Sequence, residues 1–167
     1  MVVNTMDKDQ PKVVLGWREW VSLPDLGIEH IKAKVDTGAR SSALHTFELS
    51  SFSEDGIARV RFAIHPLQND TSTIRYCVAD LLDERYVSDS GGHRELRPVI
   101  CTTLRIGSEL RKIEMTLANR ETMKFRMLLG RTAMSGLCMV DTGASFLLGR
   151  PVPGAHVVNQ FNKEDQV

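Results

Sequence analysis

The stretch Ile31-Lys32-Ala33-Lys34-Val35-Asp36-Thr37-Gly38-Ala39-Arg40-Ser41-Ser42 decides how the rest of the chain is read. Ile31, Ala33 and Val35 alternate with Lys32, Lys34 and Asp36, the period of two that marks a half-buried strand. The pattern breaks at Thr37-Gly38, where glycine admits a tight backbone excursion, so Asp36 is expected at a strand end. A carboxylate held there beside backbone N–H groups and a threonine hydroxyl has the fixed position that acid–base chemistry needs.

Working outward, short strands recur. Val13 to Val21 reads as a first strand bent at Gly16, followed by turn residues from Ser22 to Gly27. Ala58, Val60, Phe62 and Ile64 alternate with Arg59, Arg61 and His65, and Ile74 to Val78 forms another extended run. Tyr86-Val87 and Pro98-Val99-Ile100 flank the polar stretch Ser88 to His93. Gly91-Gly92 at its centre marks a long-armed hairpin tip, either a flap or an ordinary exposed hairpin. Strands over Val99–Ile106, Lys112–Leu117 and Met123–Leu129 follow, then a short helix at most within Thr132–Leu137, and a last ordered segment from Cys138 to Leu148. The sum is an all-β, barrel-like domain over 13–150, with flexible ends at 1–12 and 151–167.

Composition narrows the function. The 167 residues suit one domain, able to bury about 70% of its unfolded surface. Lys plus Arg and Asp plus Glu are both 21, so no net charge draws the chain to nucleic acid or to an anionic membrane. Met1 to Lys12 holds no apolar core of a secretory signal, and no run has the length of a membrane span. Three scattered cysteines, Cys77, Cys101 and Cys138, form no disulfide framework and read as buried thiols of a reducing compartment. The expectation is a cytoplasmic protein.

Asp-Thr-Gly-Ala resembles the signature of pepsin-like and retropepsin-like aspartic proteases. In retropepsins that motif is followed by a flap, then by an apolar-apolar-Gly-Arg segment and a short helix. Here Asp36-Thr37-Gly38-Ala39, Gly91-Gly92 and Leu128-Leu129-Gly130-Arg131 stand in that order. With Gly16-Trp17-Arg18-Glu19-Trp20, Arg97-Pro98-Val99-Ile100 and Phe125-Arg126-Met127, the chain resembles a bacterial retropepsin-like family that carries the name ATP-dependent zinc protease. That family is associated with glutamate ligases of the ribosome-modifying kind. The resemblance implies a closed retropepsin barrel and a small peptidase that trims glutamate tails on a ribosomal protein.

The chain bears out neither half of that name by motif. It has no phosphate-binding Gly-x-x-x-x-Gly-Lys-Ser/Thr loop and no His-Glu-x-x-His, and neighbouring histidines are 15 to 63 positions apart. Neither a cofactor nor a metal is therefore expected; the alternative is His45, close enough in sequence to Asp36 for a folded site to unite the two with a metal.

The chemistry needs two carboxylates sharing one proton, the ionised one activating water and the protonated one polarising the scissile carbonyl. One Asp36 per chain then implies a two-fold homodimer with a shared cleft. Val140-Asp141-Thr142-Gly143-Ala144 repeats the motif 105 positions later. Too little chain follows it to build a second lobe, so Asp36 is taken as the catalytic residue.

Lys34, Arg40 and Arg94 are candidate contacts to substrate carboxylates, against the alternative of ion pairs with Glu48, Asp55 or Glu95. A non-catalytic module that holds a peptide or the ligase, and a zinc-dependent peptidase, are the competing readings.

Overall fold

The computed structural model describes residues 12–120 and 122–151. The histidine at 156 and most of both expected flexible ends lie outside the described residues. Among the described residues eleven strands and one short helix occur in the order β1 (Val13–Leu15), β2 (Arg18–Leu23), β3 (Ile28–Val35), β4 (Ser42–Glu54), β5 (Ile57–Ile64), β6 (Arg75–Asp80), β7 (Asp83–Ser88), β8 (Arg94–Ile106), β9 (Glu109–Asn119), β10 (Met127–Leu129), α1 (Arg131–Met134) and β11 (Cys138–Val140). A single 3-10 turn, Pro24–Leu26, joins β2 to β3. The chain is all-β, as the alternating pattern predicts, and no described helix is long and apolar enough to cross a membrane.

The period-two readings become inward faces. Ile31 and Ala33 of β3, Val60, Phe62 and Ile64 of β5, and Ile113, Met115 and Leu117 of β9 are all buried, while Lys34 and Arg61 point to water. They pack with Leu15, Leu44, Ile100, Leu104, Met127 and Leu129 into one core. Burying a side chain of this size stabilises by about 1.5–3 kcal/mol, which is why the alternation fixes the face.

The strands pair in the order β10-β3-β2-β8-β9-β4-β5-β6, and β10 also pairs with β4. Six of them, β10, β3, β2, β8, β9 and β4, thus form a ring. β10 is its keystone. It runs parallel to β3, with Leu129 opposite Val35, and antiparallel to β4, with Leu128 opposite Ala43. It therefore threads between the two strands that the Asp36 turn connects.

β4 changes partners along its length. Ser42–Thr46 lies parallel to β9, and the remainder pairs antiparallel with β5. The switch falls at a register shift where Glu48 takes a left-handed conformation at φ 52°, a β-bulge that bends the strand. β7 pairs only with the first half of β8, so the two form a projecting hairpin whose tip is the Gly91-Gly92 turn. Outside the ring, β1 and β11 make a parallel two-stranded ribbon.

Several expectations need correction. The strand read over Met123–Leu129 is ordered as a strand only at Met127–Leu129, because the preceding segment serves the turn into β10. β4, which no alternation announced, runs from Ser42 to Glu54, since the bulge lets one strand serve two neighbours. Only Cys77 is a buried thiol; Cys101 is exposed and Cys138 half-buried. His65, expected on the polar face of β5, is buried and stacks on Phe47 with ring centroids 4.5 Å apart.

Candidate active site

Asp36 follows the last residue of β3, and its N–H donates to the Leu129 carbonyl of β10 at 2.9 Å. Its Oδ1 accepts the N–H of Gly38 at 3.0 Å and of Ala39 at 3.2 Å. This is an Asx-type turn, in which a short carboxylate replaces the backbone acceptor and is locked by doing so. Oδ2 has no partner among the described residues and remains available.

The turn is clasped from the other side of β10. A Cβ on Gly130 would lie 2.4 Å from the Ser41 carbonyl carbon and 2.9 Å from the Ser42 nitrogen, so only glycine permits this approach. The Arg131 N–H donates to the Ala39 carbonyl at 2.9 Å, and the Arg131 guanidinium donates to the Thr37 carbonyl at 3.0 Å. The buried Ser42 hydroxyl accepts the Gly130 N–H at 3.1 Å. Leu128, Leu129, Gly130 and Arg131 thus lie beside the Asp36 turn. Ser42 was missed as a clasp because its partner lies 88 positions away.

Of the three candidate cations, none makes an ion pair among the described residues, and Glu95 pairs instead with Arg97 at 3.1 Å. Lys34 stands on the exposed face of β3 opposite Arg18, about 7 Å along the strand from Asp36. Arg40 follows the turn and lies near Glu114, whose carboxyl is held low mainly by its hydrogen bond to Arg85, with Arg40 adding to the effect. Arg94 is at the base of the hairpin tip, its guanidinium 4.7 Å from the Tyr86 ring centre.

The tip itself is braced: Asp89 accepts the N–H groups of Gly91 and His93 at 2.9 Å each, and Arg120 donates to its other oxygen at 3.0 Å.

His45 is not a metal ligand in waiting. It is buried, its Nδ1 lies 3.0 Å from the Phe125 carbonyl, and burial pushes its pKa down, with Arg97, Arg120 and Arg126 adding to the effect. Three guanidinium groups around an imidazole oppose a bound cation. Among the described residues no group of three or more His, Cys, Asp or Glu side chains could hold a metal. The donor set therefore does not fit zinc.

The repeat at Asp141 is structural as well as sequential. The Asp141 N–H donates to the Leu15 carbonyl at 2.7 Å, matching the bond from Asp36 to Leu129. Its Oδ1 accepts the Gly143 N–H at 3.0 Å. Gly16 plays the part of Gly130, since a Cβ there would lie 2.3 Å from the Ala144 carbonyl oxygen. The Trp17 N–H donates to the Ala144 carbonyl at 2.8 Å, as Arg131 does to Ala39.

The two copies also differ. Asp36 receives a second N–H and is half-buried, whereas Asp141 receives one and is exposed. Asp141 stands on the β1–β11 ribbon, not on a second barrel. Trp17 spans the gap between the two turns, its carbonyl accepting the Val35 N–H at 2.9 Å. Recurrence of an apolar-Gly pair at Leu15-Gly16 and Leu129-Gly130 was the sequence signal that could have revealed the second clasp.

An Asp-Thr-Gly turn gripped by an apolar-apolar-Gly strand, in an all-β ring that carries a projecting hairpin, defines a retropepsin-like aspartic-protease fold. Residues 14–151 match the RimB-like family, described as retropepsin-like aspartic endopeptidase RimB. The chain belongs to that family.

Curated relatives include a probable alpha-L-glutamate ligase of Desulfotalea psychrophila, 42% identical over 86% of this chain and 31% of the relative. Another of the same name, from Parasynechococcus marenigrum, is 45% identical over 83% of this chain and 30% of the relative. The chain thus spans about a third of the length of the curated relatives it matches. Among solved structures, the crystal structure of Lpg0085, a protein of unknown function from Legionella pneumophila, superposes with a TM-score of 0.68. It is 24% identical and covers 83% of this chain and 99% of that one, a likeness of fold.

Proposed function

We propose that the protein is an aspartic-type peptidase in which Asp36 activates water for peptide-bond hydrolysis. The observation that carries this reading is the locked Asp36 carboxylate, with Oδ1 held by two backbone N–H groups and Oδ2 unpartnered. A base must be oriented before it can act, and the clasp by Gly130 and Arg131 supplies that orientation.

One carboxylate is half of the machinery. In a two-fold homodimer two Asp36 side chains share one proton. The ionised one takes a proton from water as its oxygen attacks the scissile carbonyl, and the protonated one hydrogen-bonds the carbonyl oxygen. Collapse of the tetrahedral intermediate expels the amine, which receives a proton from the dyad. The chain's own residues perform each step without metal or cofactor.

Among the described residues Lys34, Arg40 and Arg94 make no ion pair, and they suit a substrate rich in carboxylates, since charge-assisted hydrogen bonds are the strong ones. Relatives named for alpha-L-glutamate ligation support glutamate tails, such as those on a ribosomal protein, as that substrate.

The same names favour a second reading, a binding module that holds a peptide or a ligase without cleaving it, because the match covers only a part of each ligase-named relative. Glutamate release from a glutamate-tailed peptide decides between them. Wild type is active, Asp36→Asn is dead though folded, Asp141→Asn retains turnover, and chelator has no effect. Loss on chelation would replace the mechanism with a zinc-dependent one. Equal loss in Asp141→Asn would restore a pair within one chain, and binding unchanged by Asp36→Asn without release would favour the module.

A further inference from the structure

A cavity of about 580 Å³ opens not at the Asp36 turn but at the opposite end of β3. Its lining includes Ile28 and His30, and His30 stands six positions before Asp36 along the strand, about 20 Å. It is a different place from the candidate active site.

Three arginines line it from three parts of the chain: Arg75 at the start of β6, Arg105 on β8 opposite Ser22, and Arg150 after β11. None of the three makes an ion pair among the described residues, and Glu29 is the one acidic residue on the wall. The positive charge extends beyond the rim. The Lys32 ammonium lies 5.1 Å from the Trp20 ring centre, and burial together with Arg18, Arg150 and Lys124 pushes its pKa down. Like charges that outnumber the single carboxylate of Glu29 repel, and an anion in their midst relieves the repulsion. The remaining wall is apolar, with the Trp20 indole, Ile28 and Leu148.

The wall formed by residues 148–151 is built, not incidental. Fully buried Glu19 accepts the N–H groups of Leu147 at 2.7 Å and Leu148 at 3.4 Å, and also that of Gly16 at 3.0 Å. Phe146 is held at φ 55°, a left-handed conformation that costs a bulky residue about 1–2 kcal/mol. The Arg18 and Arg150 guanidinium groups lie 4.7 Å and 4.6 Å from its ring centre. The strained Phe146 turn thus leads directly into the cavity-lining residues 148–151.

We propose that this cavity is a second binding site, for a small ligand that carries two or more anionic groups on an apolar or planar body. Arg75, Arg105 and Arg150 hold the anionic groups by charge-assisted hydrogen bonds, and Trp20 with Leu148 covers the body. Phosphate esters and polycarboxylates share this chemistry. The site stands independently of the peptidase reading.

Calorimetric titration of the full chain with pyrophosphate and with citrate, using acetate as the monovalent control, tests it. Saturable binding at one site per chain is expected for pyrophosphate, citrate or both, with acetate inert. Tighter pyrophosphate assigns a phosphate ester, tighter citrate a polycarboxylate, and comparable affinities the shared chemistry alone. Arg75→Gln with Arg105→Gln should weaken binding about tenfold or more. Asp36→Asn should bind as wild type does.

Arg105 is exposed, so Arg105→Gln alone carries the test if the double substitution fails to fold. No saturable binding of either probe, or unchanged affinity in the folded arginine variants, would overturn the proposal.

Discussion

Gly130→Ala is the sharpest probe of how the Asp36 turn is held. The added methyl would sit 2.4 Å from the Ser41 carbonyl carbon, 2.5 Å from its oxygen and 2.9 Å from the Ser42 nitrogen. All three are backbone atoms, which cannot swing away as the end of a side chain can. Relief requires β10 to move away from the start of β4, stretching the bond from the Gly130 N–H to the Ser42 hydroxyl, 3.1 Å in the intact protein. Overpacking costs about 1–3 kcal/mol and the weakened hydrogen bond about 1 more, for a loss of roughly 2–4 kcal/mol.

In a chain of this length that lowers Tm by roughly 5–15 °C. Thermal and urea unfolding of the variant measure it. Gly143→Ala is the control: the nearest atom to its Cβ is Asp141 Oδ1 at 3.5 Å, ordinary contact. That variant should stay within about 0.5 kcal/mol of wild type. Equal stability of the two variants would refute the argument that close approach by Gly130 is what grips the turn.

Further outcomes follow from the same geometry. Glu19→Gln leaves at least one of three backbone N–H groups without its acceptor, and should cost about 1–3 kcal/mol with faster proteolysis within residues 141–151. Asp70, hydrogen-bonded by the Ser72 and Thr73 hydroxyls, has its pKa pushed down to about 2 from 3.8. A depressed folded value stabilises above the unfolded pKa and loses that contribution as pH falls from 3.8 toward 2, so a carboxyl NMR titration of Asp70 should show its midpoint near 2. Thiol labelling should modify exposed Cys101 first and Cys77 last, since burial pushes the Cys77 thiol up to about 11; mass spectrometry of a time course orders them.

The candidate site was legible in one dimension where its parts are contiguous. Asp36, Thr37, Gly38 and Ala39 form a turn whose hydrogen bonds span two or three residues, so glycine and aspartate at adjacent positions suffice to announce it. The hairpin tip at Gly91-Gly92 was readable for the same reason. The cations were readable as residues but not as partners. Whether Lys34 and Arg94 pair with acids depends on which strands become neighbours, and the described residues leave them unpaired. The second turn at Asp141 was visible as a repeat, yet its clasp by Gly16 was not, because those residues are 125 or more positions apart.

What the sequence determined by itself was the local alternation that makes Ile31, Ala33, Val60, Phe62, Met115 and Leu117 inward residues, and hence an all-β chain. Burial on one face of a strand follows from a period of two and needs no knowledge of neighbours. Tertiary structure alone decided that β10 threads between β3 and β4, that Glu19 is buried under three N–H groups, and that Arg75, Arg105 and Arg150 share a cavity. Each joins segments dozens of residues apart, and no local preference specifies such a meeting. The ring closes where apolar surface is buried while strand backbones pair with one another, a property of the whole chain at once.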